Sequence, residues 1–305
     1  PFYSEAERGF SPAQNWTGNG ADEVSLWVHG YPALGPATMT EAGGKITLTG
    51  GGADISYQSD EFSFAYKTLT GDGAMIARVV STGTGTQTWA KGGVMIRDSL
   101  RGGSTHAMMV MTTPGANGAS FQYRANTDGD SGGSDSVAAV AVPYWVKIER
   151  FGSTFTGYTS ADGKTWATVG TAEVTVQDPI YIGLCVTAHL ATEERTFEFD
   201  SIATTGAVAG AWQGVVIAST EYNVPANMHL LIEDSAGKSG SATNADIVTS
   251  AAWPRWALPL RDFAGVNFGK VAKIALTIGD KNATTPGGSG MVFIDDIGFG
   301  SSAGQ

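Results

Sequence analysis

Between Thr196 and Ile202 the chain reads TFEFDSI, and strand alternation puts Glu198 and Asp200 on one face with Phe197 and Phe199 on the other. Paired carboxylates held across a sugar bond are what glycoside hydrolysis requires. The same alternation also describes an outward polar face over a Phe-lined core, and that is the reading adopted. Glu193 and Glu194 fall in a turn and read as solvated. No Gly-Xaa-Ser-Xaa-Gly elbow, His-Glu-Xaa-Xaa-His pair or phosphate-cradling loop occurs. His29, His106, His189 and His229 are widely scattered, each read as a strand-face or loop residue. Cys185 is the single cysteine, so no intrachain disulfide can form. It lies in the apolar run YIGLCV and reads as a small packed hydrophobe. The chain is therefore not expected to be an enzyme.

Sugar recognition needs aromatic faces that stack on C–H bonds and planar groups that satisfy hydroxyls. Trp89, Lys91, Arg97, Tyr123, Arg124 and His189 supply such groups. Lys91 and Arg97 have a competing structural role, in which each pairs with buried acids or carbonyls and holds a sheet together. Trp253 and Trp256 flank Pro254 and form a second candidate platform, although packing at a domain junction would use them equally well. A glycan or polysaccharide is the expected partner.

Composition narrows the classes that remain. The chain has 42 Gly among 305 residues, only 15% charged residues and no long amphipathic stretch, which together read as all-β. Net charge is −11, so the basic stripe that displaces counterions from nucleic acid is missing. The same acidity disfavours an anionic membrane surface. No apolar run is long enough to span a bilayer and no signal peptide stands at the start. The first residue, Pro1, suggests a processed or excised product.

Short apolar runs separated by turn residues supply the elements. From Trp89 to Arg124 they recur as VMI, the turn RGG, HAMMVM, the turn PGANG, and SFQY, the rhythm of an antiparallel sandwich. Phe62–Tyr66 and Met75–Val80 flank Thr70-Gly71-Asp72-Gly73, which predicts a hairpin. Asn126–Ser136 reads as a polar loop and Ala161–Lys164 as another hairpin turn. WAKGGVMIRDSL, HAMMVMTTPG, FQYR, YWVKIERFGSTFTGYTSADGKTW and YIGLCVTAH resemble a bacterial concanavalin-like (laminin-G-like) β-sandwich.

The outer pieces carry a second resemblance. SEAER, NWTGNG and VSLWVHG, then IALTIGDKN, PGGSG and VFIDDI, are similar to one jelly-roll domain of the carbohydrate-binding-module or galactose-binding type. The expected fold is all-β, a split β-jelly roll with an inserted concanavalin-like β-sandwich. Its boundaries are 1–38 and 207–305 for the jelly roll and 39–206 for the sandwich. The resemblance implies export to the cell surface or beyond, and a non-catalytic role in glycan binding or adhesion. It also implies a structural calcium, with Asp295 as one ligand and Glu5 or Glu7 as the other. In similar proteins further strand residues precede PFYSEAER, so an open sheet edge is expected here. Such an edge pairs with copies of the same chain, and the alternative role is a subunit of an extracellular filament or surface layer.

Overall fold

The computed structural model describes residues 3–33, 35–113, 117–138, 140–218, 222–282 and 290–301. Over these residues the regular structure is all strand apart from four single-turn 3-10 segments. It divides into two compact units, Pro1–Ala33 with Glu221–Gln305, and Leu34–Thr220.

The first unit begins with β1 (Tyr3–Gln14) and β2 (Glu23–His29). The second unit follows as β3 (Thr38–Ala42), β4 (Lys45–Gly50), β5 (Phe62–Ser81), β6 (Lys91–Arg97), β7 (His106–Thr112) and β8 (Ala119–Arg124). It continues through β9 (Gly132–Val137), β10 (Tyr144–Phe151), β11 (Thr154–Ser160), β12 (Ala167–Glu173), β13 (Ile180–Thr187) and β14 (Arg195–Ile217). The chain then completes the first unit with β15 (Met228–Asp234), β16 (Ser239–Asn244), β17 (Arg255–Pro259), β18 (Val271–Gly279) and β19 (Phe293–Gly300).

In the first unit a four-stranded sheet, β1-β18-β15-β16, accompanies a three-stranded sheet, β17-β2-β19. Alternation in VSLWVH turns Val24, Leu26 and Val28 inward. They share a core with Leu230, Ile232, Ile274, Trp16, Trp256 and Phe263.

The second unit is a sandwich in which two long strands serve both halves. The first part of β5 pairs β13, from Val186↔Ser63 to Ile180↔Leu69, and its second part pairs β10, from Arg150↔Gly73 to Tyr144↔Val79. β14 follows β5 through the same bend, with Gly206 opposite Gly73. This corrects the predicted hairpin at 70–73. Gly71 and Gly206 sit at φ of 72° and 87°, a region open to glycine, so the paired strands bend there without reversing. The strand Trp212–Ile217, grouped by sequence with the outer domain, is the end of β14 and pairs Tyr66–Phe62. The loop predicted at 126–136 likewise contains the start of β9, an edge strand on β8.

Phe197 and Phe199 are buried between the halves with Met109, Phe121, Ile148 and Phe155. Glu198 is exposed, and Asp200 accepts two bonds from Arg78, at 2.7 and 2.5 Å, which holds its carboxyl below the usual range. Packing between the halves is tight at Gly157 of β11, where a Cβ would enter the Phe121 ring and come within 3.1 Å of Met109 Sδ. Gly157→Val is expected to cost about 1–3 kcal/mol by overpacking, read as a fall in the urea midpoint of unfolding.

The opposite face of β6, β7 and β8 is buried as well. Met95, Met108 and Val110 are fully covered. Residues 51–61 are tied to this face at both ends, by Asp54 to Lys91 and by Asp60 to Arg124, with Ile55 buried between.

Candidate functional site

Five of the six sandwich candidates fall in two polar groups under this covering segment. In the first, Asp60 is fully buried and accepts from Arg124 at 2.6 and 2.8 Å and from Arg97 at 3.4 Å. Arg124 also donates to the carbonyls of Tyr57, Gly102, Ser104 and Gly129, and Arg97 to those of Ser99 and Arg101. Both guanidiniums are fully buried, so they bind the covering segment and present nothing to a ligand. His106 lies beside them, 3.6 Å from Asp60. Burial and the two guanidiniums push its imidazole down to about 4, against the pull of the carboxylate.

The second group joins Trp89, Lys91 and His189. Lys91 lies 2.8 Å from Asp54 Oδ1 and donates to Gln122 Oε1 at 3.2 Å. Its Nζ stands 5.8 Å from the centre of the half-buried Trp89 ring. His189 Nε2 is 3.3 Å from Asp54 Oδ2, and its backbone is held at φ 58°, in the left-handed region that few residues other than glycine occupy. Tyr123 belongs to neither group; it packs on the sandwich core beside Phe121. Cys185 is buried, and burial pushes its thiol up to about 12, which leaves no reactive thiolate.

The outer candidates also part. Trp256 turns inward and is buried in the core of the first unit, so it does not share a platform with Trp253. Trp253 stands at the edge of another aromatic group. On β2, Trp27 and His29 share the outward face. Register places Asp295 of β19 and Arg255 of β17 opposite Trp27, and Phe293 opposite His29. The His29 ring lies 5.2 Å from Trp253, 5.7 Å from Tyr31 and 5.9 Å from Phe293. Trp253 is 46% exposed, Phe293 41% and Trp27 39%. Arg255 is held by Glu23 and by Ser25 Oγ, which fixes it along the same face.

On the opposite sheet of this unit, Tyr3, Glu5, His229, Glu233, Lys273 and Thr277 line an open groove of about 720 Å³. Glu5 accepts from Tyr3 Oη at 2.8 Å, and Glu7 lies 3.8 Å from Lys273. Asp295 is on the other sheet, so these three carboxylates do not gather round one ion. Calcium takes six to eight oxygens, and among the described residues no group of three or more His, Cys, Asp or Glu side chains meets that need. The expected calcium set does not fit.

Sequence reasoning missed Asp54, Asp60 and Gln122, because nothing local marks the residues a loop will lay across a sheet. It missed Trp27 and His29 although alternation in VSLWVH places them on one face. That signal was legible.

Neither a protein-family model nor a curated protein matches this sequence. Solved structures do. A functionally unknown protein from Saccharomyces cerevisiae is 16% identical over 60% of this chain and 97% of its own, with a TM-score of 0.44. A xylan β-1,4-xylosidase from Bacillus halodurans is 15% identical over 54% of this chain, with a TM-score of 0.39, and the match spans 34% of that enzyme. The exoplasmic/lumenal domain of VIP36, bound to Ca2+ and Man3GlcNAc, is 10% identical over 57% of this chain and 84% of its own, with a TM-score of 0.37. The expectation that the chain is no enzyme is corrected here, since glycoside hydrolases stand among the similar structures. What this chain is similar to is therefore a set of β-sandwich structures that includes both sugar-cleaving and sugar-binding proteins.

Proposed function

We propose that this chain is a glycan-binding protein, a concanavalin-like sandwich inserted in a jelly roll, and that sugar lies on the outward face of β2. The observation that carries this reading is the exposure of Trp27, Phe293 and Trp253 around His29 on one sheet face. Large aromatic rings exposed together mark an interaction surface. Here they are interleaved with Asp295 and Arg255, an acceptor and a set of planar donors suited to sugar hydroxyls. Stacking on the rings and bonding to the flanking groups is how a flat, hydroxyl-rich ligand is held.

Titration against a panel of polysaccharides, followed by Trp fluorescence and calorimetry, tests it. Trp253→Ala and Trp27→Ala are each expected to weaken binding about 10- to 100-fold, or roughly 1.4–2.8 kcal/mol. Lys273→Ala, in the groove of the other sheet, should leave affinity unchanged. The reverse pattern would move the site to that groove.

A further inference from the structure

Lys91 is buried, with 3% of its side chain exposed, whereas lysine is among the residues least often found inside a protein. Other short acid pairs in the sandwich use arginine, as at Arg78–Asp200, Arg124–Asp60 and Arg150–Asp178. A guanidinium stays protonated, but a lysine can give up its proton and act as a nucleophile.

The groups around Asp54 are disposed for such a step. Nζ of Lys91 lies 2.8 Å from Oδ1, the Ile55 N–H donates to the same oxygen at 2.7 Å, and His189 Nε2 stands 3.3 Å from Oδ2. Gln122 Oε1 accepts from Nζ at 3.2 Å. His189 holds this position from a left-handed backbone at φ 58°, a conformation uncommon outside glycine that gathers at functional sites. Each group has a role in acyl transfer, and reacting groups held in contact replace an intermolecular encounter.

We propose that Lys91 and Asp54 become joined by an intramolecular amide bond, a covalent tie between the covering segment and β6. One proton passes from the ammonium to the carboxylate and rests on Oδ2, the oxygen that faces His189. The amine then attacks Cγ, with the charge developing on Oδ1 stabilised by the Ile55 N–H. His189 takes a second proton from nitrogen and delivers it to Oδ2, which leaves as water. Nζ–Cγ forms, Cγ–Oδ2 breaks, and the remaining amide N–H donates to Gln122. An ammonium and a carboxylate are converted to an amide and one water. No oxidant or co-reactant enters.

Intact mass of the folded chain, measured after denaturation, decides it. The expected mass is one water below that of the sequence, and proteolysis should yield a branched peptide joining residues 54 and 91. Lys91→Arg keeps a cation at the position and should return the full mass. Asp54→Asn should lose ammonia and reach the same final mass as the linked wild type, which guards against a Lys91 variant that fails to fold. His189→Gln should slow the linkage at least tenfold. A wild-type chain that shows β-sheet circular dichroism and keeps its full mass after days at neutral pH would overturn the proposal.

Discussion

Asp60→Ala is expected to destabilise the sandwich unit by about 3–5 kcal/mol, the cost of removing one partner from a buried ion pair. Asp60 is the carboxylate facing both Arg97 and Arg124, and all three side chains are fully buried. Its loss leaves two buried guanidiniums without the carboxylate that faces them both. Arg124 contacts Asp60 through both terminal nitrogens, at 2.6 and 2.8 Å, the paired geometry that makes such contacts strong. The effect extends to the covering segment, because Arg124 reaches the Ser56 and Tyr57 carbonyls from the same head group. For a unit of this size the melting midpoint should drop roughly 6–20 °C. Arg261→Ala, at the exposed Arg261–Asp262 contact of 3.9 Å, should change stability by about 0.5 kcal/mol or less. A loss below about 1 kcal/mol for Asp60→Ala, measured by urea unfolding, would show that the remaining partners suffice to hold both arginines.

The second large effect is on acid stability, through His106. Its imidazole is pushed down to about 4 in the folded chain, first by burial and then by Arg124 and Arg97, while Asp60 pulls the other way. In the unfolded chain the ordinary value is about 6.5. Between these values the unfolded state holds the proton and the native state does not, so stability falls as pH drops from about 6.5 to 4. The full loss is on the order of 3 kcal/mol, and below about pH 4 this contribution is flat. Carboxylates act in a lower window. Asp200, held down by Arg78, and Asp234, held down by backbone N–H groups of Asn267, Ala236 and Lys238, lose their contributions as they protonate. Unfolding free energies from pH 7 down to about pH 2 for wild type and His106→Gln separate the two. The variant should lose the slope above pH 4 and keep the decline below it. An unchanged slope would place the acid sensitivity elsewhere.

Much of the architecture is written in local pattern. Alternation in VSLWVH fixes which side of β2 faces the core, and it does so because successive side chains of a strand point to opposite faces. TFEFD buries Phe197 and Phe199 and exposes Glu198 by the same rule. Composition alone sufficed for an all-β chain. The turn at Asp162-Gly163 could also be read directly, since Asp162 accepts from the backbone of Lys164 and Thr165 within the turn itself.

What the tertiary structure decided is which partner each side chain meets. The glycines near residue 72 signal a sharp bend in any β context, and only the two halves of the sandwich make it a crossing between sheets. From sequence Arg124 reads as a group for a ligand, and Lys91 and Arg97 read either so or as partners of buried acids. In the fold they are sealed beneath residues 51–61, whose acids Asp54 and Asp60 lie 37 to 64 positions away along the chain. Trp253 and Trp256 differ by three positions and end on opposite sides of the protein surface, one exposed and one in the core. A strand pattern fixes facing but not covering, and burial of a polar group is settled by what the rest of the chain lays over it.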